Sequence, residues 1–197
     1  TGNDGQSDHW NRKPGSRLSL TTYTNAEEVE LLVNGKSYGT QKNDLKNAKL
    51  RNQIRWKDIE YQDGYCEAVA RTGGKVVARH RIETTGKAVA LKLETDNAAW
   101  KADGQDLQHV RVIAIDKKGR RVQTAQGEVK FTVTGDASLA AVSSGDHNSD
   151  ELNVADSRNL YKGSCLAILR SGMTPSAVTV TATAEGMKSA KLRLFTK

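Results

Sequence analysis

The chain has 197 residues and a mass of 21.5 kDa, room for one large domain or two small ones. Hydrophobic residues make up 37% and charged residues 27%, and Val, Leu and Ile recur in short alternating runs, which excludes a disordered chain. No run approaches the ~20 apolar residues of a membrane-spanning helix, and two prolines exclude a polyproline ligand. Neither an initiator Met nor the basic and apolar regions of a leader stand at Thr1, so the chain is expected to be a processed or excised piece of a longer one.

The net charge of +7 invites a nucleic-acid reading, so its distribution matters. Residues 1–85 hold 14 basic and 11 acidic side chains, and the remainder hold 16 and 12, an even spread. The densest basic stretch, Lys42, Lys46, Lys49, Arg51, Arg55 and Lys57, is interrupted by Asp44 and Asp58 and contains one aromatic, Trp56. A groove for nucleic acid would need several stacking aromatics on one basic face. The stretch is therefore read as a solvated loop or edge-strand face, and no nucleic-acid or membrane partner is expected.

Strand signals dominate along the chain. Leu18, Leu20, Thr22 and Thr24 alternate with Ser19, Thr21 and Tyr23, and Val29, Leu31 and Val33 alternate with Glu30 and Leu32. Asn34-Gly35 then predicts a two-residue type I′ hairpin, with Lys36 to Thr40 as the return strand. Cys66 to Thr72 and Lys75 to Ile82 flank Gly73-Gly74 as a second hairpin, so six or so strands fit before Thr85. After Thr84-Thr85-Gly86 the pattern restarts. Strands are expected over Ala88 to Thr95 and His109 to Asp116, with Val110, Val112 and Ala114 on one face. A turn at Asp116-Lys117-Lys118-Gly119 leads to Arg120-Arg121-Val122. Further strands are expected at Val129 to Thr134, Cys165 to Arg170, Ala177 to Ala184 and Ser189 to Phe195. Ser143 to Tyr161 is polar and reads as loop. Short strands at this spacing argue an all-β chain of two tandem immunoglobulin-like β-sandwich domains, residues 1–85 and 86–197.

Chemistry-bearing motifs are sparse. Cys66 and Cys165 stand alone in apolar alternation and read as buried free thiols, one per domain. His9, His80, His109 and His147 have no metal-ligand spacing, so no metal or cofactor is expected. Asp103-Gly104-Gln105-Asp106 faintly suggests a calcium loop but lacks the remaining ligands. Glu27, Glu28 and Glu30 begin a strand and Asp150-Glu151 lies in the polar loop. No two carboxylates are placed to face each other across a cleft, as glycoside hydrolysis requires. No catalytic residue is assigned.

His9-Trp10-Asn11 followed by Tyr23-Thr24-Asn25-Ala26-Glu27-Glu28-Val29-Glu30-Leu31-Leu32-Val33-Asn34-Gly35-Lys36-Ser37-Tyr38-Gly39 resembles the stretch just after the catalytic barrel of glycoside hydrolase family 2 enzymes, the β-galactosidase-like group. Trp56, Gly64 and Ala68-Val69-Ala70 resemble a later motif of that family. So do Asp96 with Ala102-Asp103-Gly104-Gln105-Asp106-Leu107, Ser144-Gly145-Asp146, and Tyr161-Lys162-Gly163-Ser164-Cys165-Leu166-Ala167-Ile168. Asn11-Arg12 departs from the family's Asn-Trp, and Ser144 stands where an Asn is usual. The resemblance implies two non-catalytic C-terminal accessory domains of a β-glycosidase, a β-galactosidase by preference. It also implies partners in the catalytic barrel and other domains of the same parent chain, carbohydrate as a further ligand, and an exported bacterial parent, periplasmic or secreted. The family's catalytic glutamates lie on a (β/α)8 barrel, and no residue here matches them. The alternatives are a carbohydrate-binding module and an immunoglobulin-like surface adhesin. Trp56 and Trp100 are expected in cores. Trp10, bracketed by polar residues, is expected as exposed surface, a contact for the barrel or for glycan.

Overall fold

The computed structural model describes residues 9–95 and 99–197; Asp96 lies outside the described residues. The described chain is all-β and divides after Thr84 into two compact units.

The first unit has six strands: β1 (Arg17–Tyr23), β2 (Glu28–Val33), β3 (Lys36–Lys42), β4 (Gln53–Glu60), β5 (Tyr65–Thr72) and β6 (Lys75–Glu83). They form a two-stranded sheet, β1-β4, and a four-stranded antiparallel sheet ordered β3-β2-β5-β6. Alternation drives one face of each inward. Val29, Leu31 and Val33 of β2 meet Ile54, Trp56 and Ile59 of β4 and Cys66 and Ala70 of β5 in one buried cluster.

The basic stretch divides between a loop and the strand β4, which pairs with β1 alone and puts its charges on the solvent face. Arg55, Lys57 and Asp58 are exposed, yet Ile54, Trp56 and Ile59 are buried. Trp56 and Ile59 are three residues apart, which a regular strand would put on opposite faces. Asp58 adopts a positive φ of 58°, and the register with β1 shifts between Leu18 and Leu20. The extra residue of this bulge returns Ile59 to the core face.

Asn34 and Gly35 take φ values of 49° and 82°, the pair of positive angles that a type I′ turn demands. The Asn34 side chain also ties the hairpin to β5. Its Nδ2 donates to Asp63 O at 2.9 Å, and its Oδ1 accepts the Tyr65 N–H at 2.8 Å.

The second unit has eight strands: β7 (Ala90–Glu94), β8 (Leu107–Ile115), β9 (Glu128–Thr134), β10 (Ala137–Ser143), β11 (Ser157–Asn159), β12 (Ser164–Ser171), β13 (Ala177–Ala184) and β14 (Met187–Phe195). Two antiparallel ladders, β10-β12-β8-β7 and β14-β13-β9-β11, are joined where β7 and β14 pair in parallel at Ala90 and Lys188. Val110, Val112 and Ala114 of β8 share a core with Cys165, Ala167 and Leu169 of β12. Val129 and Phe131 of β9 and Val178, Val180 and Ala182 of β13 complete it. Two strands went unread in the sequence. Ala137–Ser143 forms β10, and the stretch read as pure loop contains β11, with Arg158 buried and Leu160 in the core.

A Cβ on Gly64, which has a φ of 129°, would overlap the Asn34 carboxamide. Gly64→Ala is therefore expected to lower the unfolding free energy by more than about 1 kcal/mol, read by urea denaturation. A loss within error of zero would show that the Asn34 clamp does not constrain this position.

Candidate functional site

Trp10 is the one residue singled out in the sequence as a contact, and the structure corrects its expected exposure. It is 1% exposed. Its Nε1 donates to Gln62 O at 2.9 Å, and its ring meets Tyr61 edge-on, with centroids 5.3 Å apart at 60°. The Tyr61 hydroxyl donates to Asp63 Oδ1 at 2.6 Å and lies 3.1 Å from Thr84 Oγ1, which in turn donates to Trp10 O at 3.3 Å. Burial, reinforced by the Asp63 carboxylate, raises the pKa of the phenol. The leading segment is thus fastened to the last residue of the unit, and no face of the indole is open to stack on a sugar. Arg12 Nη1 lies 2.8 Å from the His9 ring and donates to Asn11 O at 2.7 Å, which shapes the same segment.

Trp56 and Trp100 are each 2% exposed, as expected. Cys66 and Cys165 are buried and free, and burial pushes each thiol up to about 12. His80, His109 and His147 are exposed on separate elements, and among the described residues no three His, Cys, Asp or Glu side chains gather as metal ligands.

Five of the carboxylates named in the sequence, Glu27, Glu30, Asp103, Asp106 and Glu151, hold parts of the fold. Asp103 Oδ1 accepts the N–H groups of Gln105 and Asp106 at 2.9 and 2.7 Å, and these hold its carboxyl below the usual range. Asp106 Oδ2 accepts the Lys101 N–H, and Asp106 O accepts Trp100 Nε1, so the Asp-Gly-Gln-Asp stretch is a knot of turns. Glu27 accepts the Gly73 N–H. Glu30 accepts Ser37 Oγ and Arg71 Nη2, each at 2.9 Å, and is held low by them in that order.

Two further ionic centres escaped the sequence reading. Arg158, 3% exposed, donates to Ser144 Oγ, Glu151 O and Asn153 Oδ1, with Glu151 Oε2 at 3.5 Å from its Nε. Glu151 also accepts the N–H and side chain of Asn159 and the Ser149 hydroxyl, so its acidity is strengthened chiefly by the Asn159 N–H. Nothing local in that polar stretch distinguishes Arg158 from a solvated arginine. The second centre is Asp116, 4% exposed. It accepts N–H groups from Gly86, Lys118 and Arg120 and is forked by the Arg120 guanidinium at 3.0 and 2.7 Å. Burial alone would raise its pKa, but these donors, led by the Arg120 side chain, hold the carboxyl well below the usual carboxylate range. Its signal was legible, since Asp at the first and Gly at the fourth position mark a type I turn, closed here by the Gly119 N–H on Asp116 O.

The described chain is thus two all-β units built as packed sheets, each with its own buried core. A family model described as glycoside hydrolase family 2 C-terminal domain 5 matches residues 91–193, and a domain of unknown function (DUF4982) matches residues 15–78. The chain therefore belongs to the glycoside hydrolase family 2 C-terminal domain 5 family. It is 37% identical to the β-galactosidase BoGH2A of Bacteroides ovatus, over 94% of this chain and 21% of that protein. It is 30% identical to a β-glucuronidase of Formosa agariphila, over 94% of this chain and 19% of that protein. The structure of a glycosyl hydrolase family 2 member from Bacteroides cellulosilyticus superposes with a TM-score of 0.90 at 34% identity, covering 97% of this chain and 24% of that one. The chain spans about a fifth of the length of the curated relatives it matches.

Because folding lowers the Asp116 pKa from an unfolded value near about 3.9, its contribution is complete above that value. It is lost as pH falls toward the folded value. Asp116→Asn is expected to destabilise the protein at pH 7 and to flatten the decline in stability between pH 5 and pH 2, measured by urea unfolding across that range. Parallel pH profiles for the two proteins would rule this out.

Proposed function

We propose that this chain is a pair of non-catalytic accessory β-sandwich domains of a glycoside hydrolase family 2 enzyme, and that the parent hydrolyses β-galactosides. One observation carries the reading. A C-terminal domain model of that family accounts for 91–193, in relatives about five times as long as this chain. The acid–base chemistry agrees with it. A carboxyl that donates a proton at neutral pH needs its pKa raised by burial or a neighbouring charge. Among the described residues each resolved carboxylate shift, at Glu30, Glu94, Asp103, Asp116 and Glu151, runs downward, toward the ionised form. The galactoside preference rests on the 37% identical relative, since the relatives named β-glucuronidase or putative β-glucuronidase are 29–31% identical.

The carbohydrate-binding alternative needs exposed aromatic platforms. The three tryptophans are buried, and the large aromatics on the surface, Tyr23 and Phe195, lie one in each unit. The adhesin alternative draws no support from the family match. Nitrophenyl β-galactoside, β-glucuronide, β-glucoside and β-mannoside provide the test. The parent polypeptide is expected to turn over the galactoside best, and this chain alone none of them. Turnover by this chain that disappears on replacing one of its own carboxylates would overturn the accessory reading, and a parent preferring the glucuronide would overturn the galactoside assignment.

A further inference from the structure

The two sheets of the second unit differ on their outer faces. On β14-β13-β9-β11 the residues pointing away from the core are Thr179, Thr181 and Thr183 on β13 and Lys130, Thr132 and Thr134 on β9, with Lys191 and Arg193 opposite on β14 and one large apolar side chain, Phe195, beneath Arg193 at the end of that strand. That is the polar face of an antiparallel sheet that meets water. On β10-β12-β8-β7 part of the outer face is apolar. Ile113 and Ile115 of β8 and Leu166 and Ile168 of β12 alternate with the core residues Val112, Ala114, Cys165, Ala167 and Leu169. The register sets Ile168 between Ala141 of β10 and His109 of β8 and Leu166 beside Arg111, while Leu107 stands opposite Arg170. Strands β8 and β12 are interior to the sheet, and around Ile113, Ile115, Leu166 and Ile168 they are apolar on both faces, the pattern of strands covered on both sides. None of these six apolar outer residues belongs to the core cluster beneath or packs against it.

The charges that the same strands put on this face are Lys92 and Glu94 on β7, His109 and Arg111 on β8, and Arg170 on β12. Glu94 is engaged by Lys92 at 2.6 Å and stands opposite Arg111 in the register. The frame is therefore cationic on balance. A second copy meeting this face across a two-fold axis would bring Lys92, Arg111 and Arg170 against their own kind. A surface of opposite frame is favoured instead.

We propose that the outer face of β10-β12-β8-β7 is a docking surface for another domain of the parent polypeptide, one that presents an apolar patch edged with carboxylates. The proposal rests on the reading of this chain as part of a longer glycosidase. Apolar sheet faces of this kind on otherwise polar surfaces mark interaction sites.

Single cysteines test it in the parent polypeptide. Ile168 and Thr181 are both half-buried in this chain, on opposite outer faces. Native Cys66 and Cys165 stay silent because both are buried with thiols pushed up to about 12. With the site covered, Ile168→Cys is expected to react with a maleimide about tenfold or more slowly than Thr181→Cys in the folded parent, and at the same rate after denaturation. Leu166→Cys repeats the comparison should Ile168→Cys not fold. Native rates equal within about twofold would overturn the proposal. Protection lost on dilution, with sedimentation passing from dimer to monomer, would overturn the assigned occupant in favour of a second copy. Failure of the glycosidase reading would appear separately, as absence of glycoside turnover by the unsubstituted parent whatever the labelling rates.

Discussion

In the first unit a two-stranded sheet has to cover a four-stranded one. Sheets stack about 10 Å apart and bury only what lies beneath their partner, so β1 and β4 alone leave part of the larger sheet open. Residues outside the strands make up the shortfall. Trp10 comes from the leading segment and Tyr61 from the end of β4, and both join Trp56 in the core. Their edge-to-face contact is worth roughly 0.5–1.5 kcal/mol beyond area burial. The hydrogen bonds from Trp10 to Gln62 and from Thr84 to Trp10 hold the first described residues to the end of the unit. Where no such filler reaches, the margins stay open, and Lys75 to Arg81 of β6 are exposed on both faces. The positive side chains there suit an edge strand that resists pairing with other chains.

The second unit meets a different constraint, the burial of charge. Asp116 and Arg158 are both withdrawn from water, and a buried ion persists only where partners saturate it. Asp116 receives three N–H groups and a guanidinium fork, while Arg158 finds Glu151, Ser144 and Asn153. Each centre turns an irregular stretch into a fixed one, the β8–β9 connection in the first case and the 144–156 loop in the second. A carboxylate held ionised by three backbone N–H groups and a guanidinium is a poor acid.

What was legible in the sequence was local. Asn34-Gly35 announces its own turn because only certain residues tolerate two positive φ angles in succession. Val110, Val112 and Ala114 alternate without interruption, and β8 follows. The family motifs were legible for the same reason, being contiguous runs of residues. What stayed hidden depended on partners elsewhere. The core spacing of Trp56 and Ile59 makes sense only with the bulge against β1. Ala137 to Ala141, small apart from Leu139, lacks the bulky alternation that marks a strand, and its pairing with β12 decides the matter. Trp10 was misjudged because its neighbours in sequence are polar, whereas its environment is set by Tyr61, Gln62 and Thr84. Arg158 looked solvated because its partners Ser144, Glu151 and Asn153 converge on it only after the loop closes.

The three tryptophans of this chain are committed to its own folding. Collisional quenching of tryptophan fluorescence by iodide tests this most directly, because iodide reaches only indoles at the surface. With Trp10, Trp56 and Trp100 each 2% exposed or less, the native protein should resist quenching, and unfolding in urea should restore it. Addition of galactose or lactose should leave the native emission unchanged. A native fraction quenched as readily as in urea, and protected by either sugar, would contradict the account.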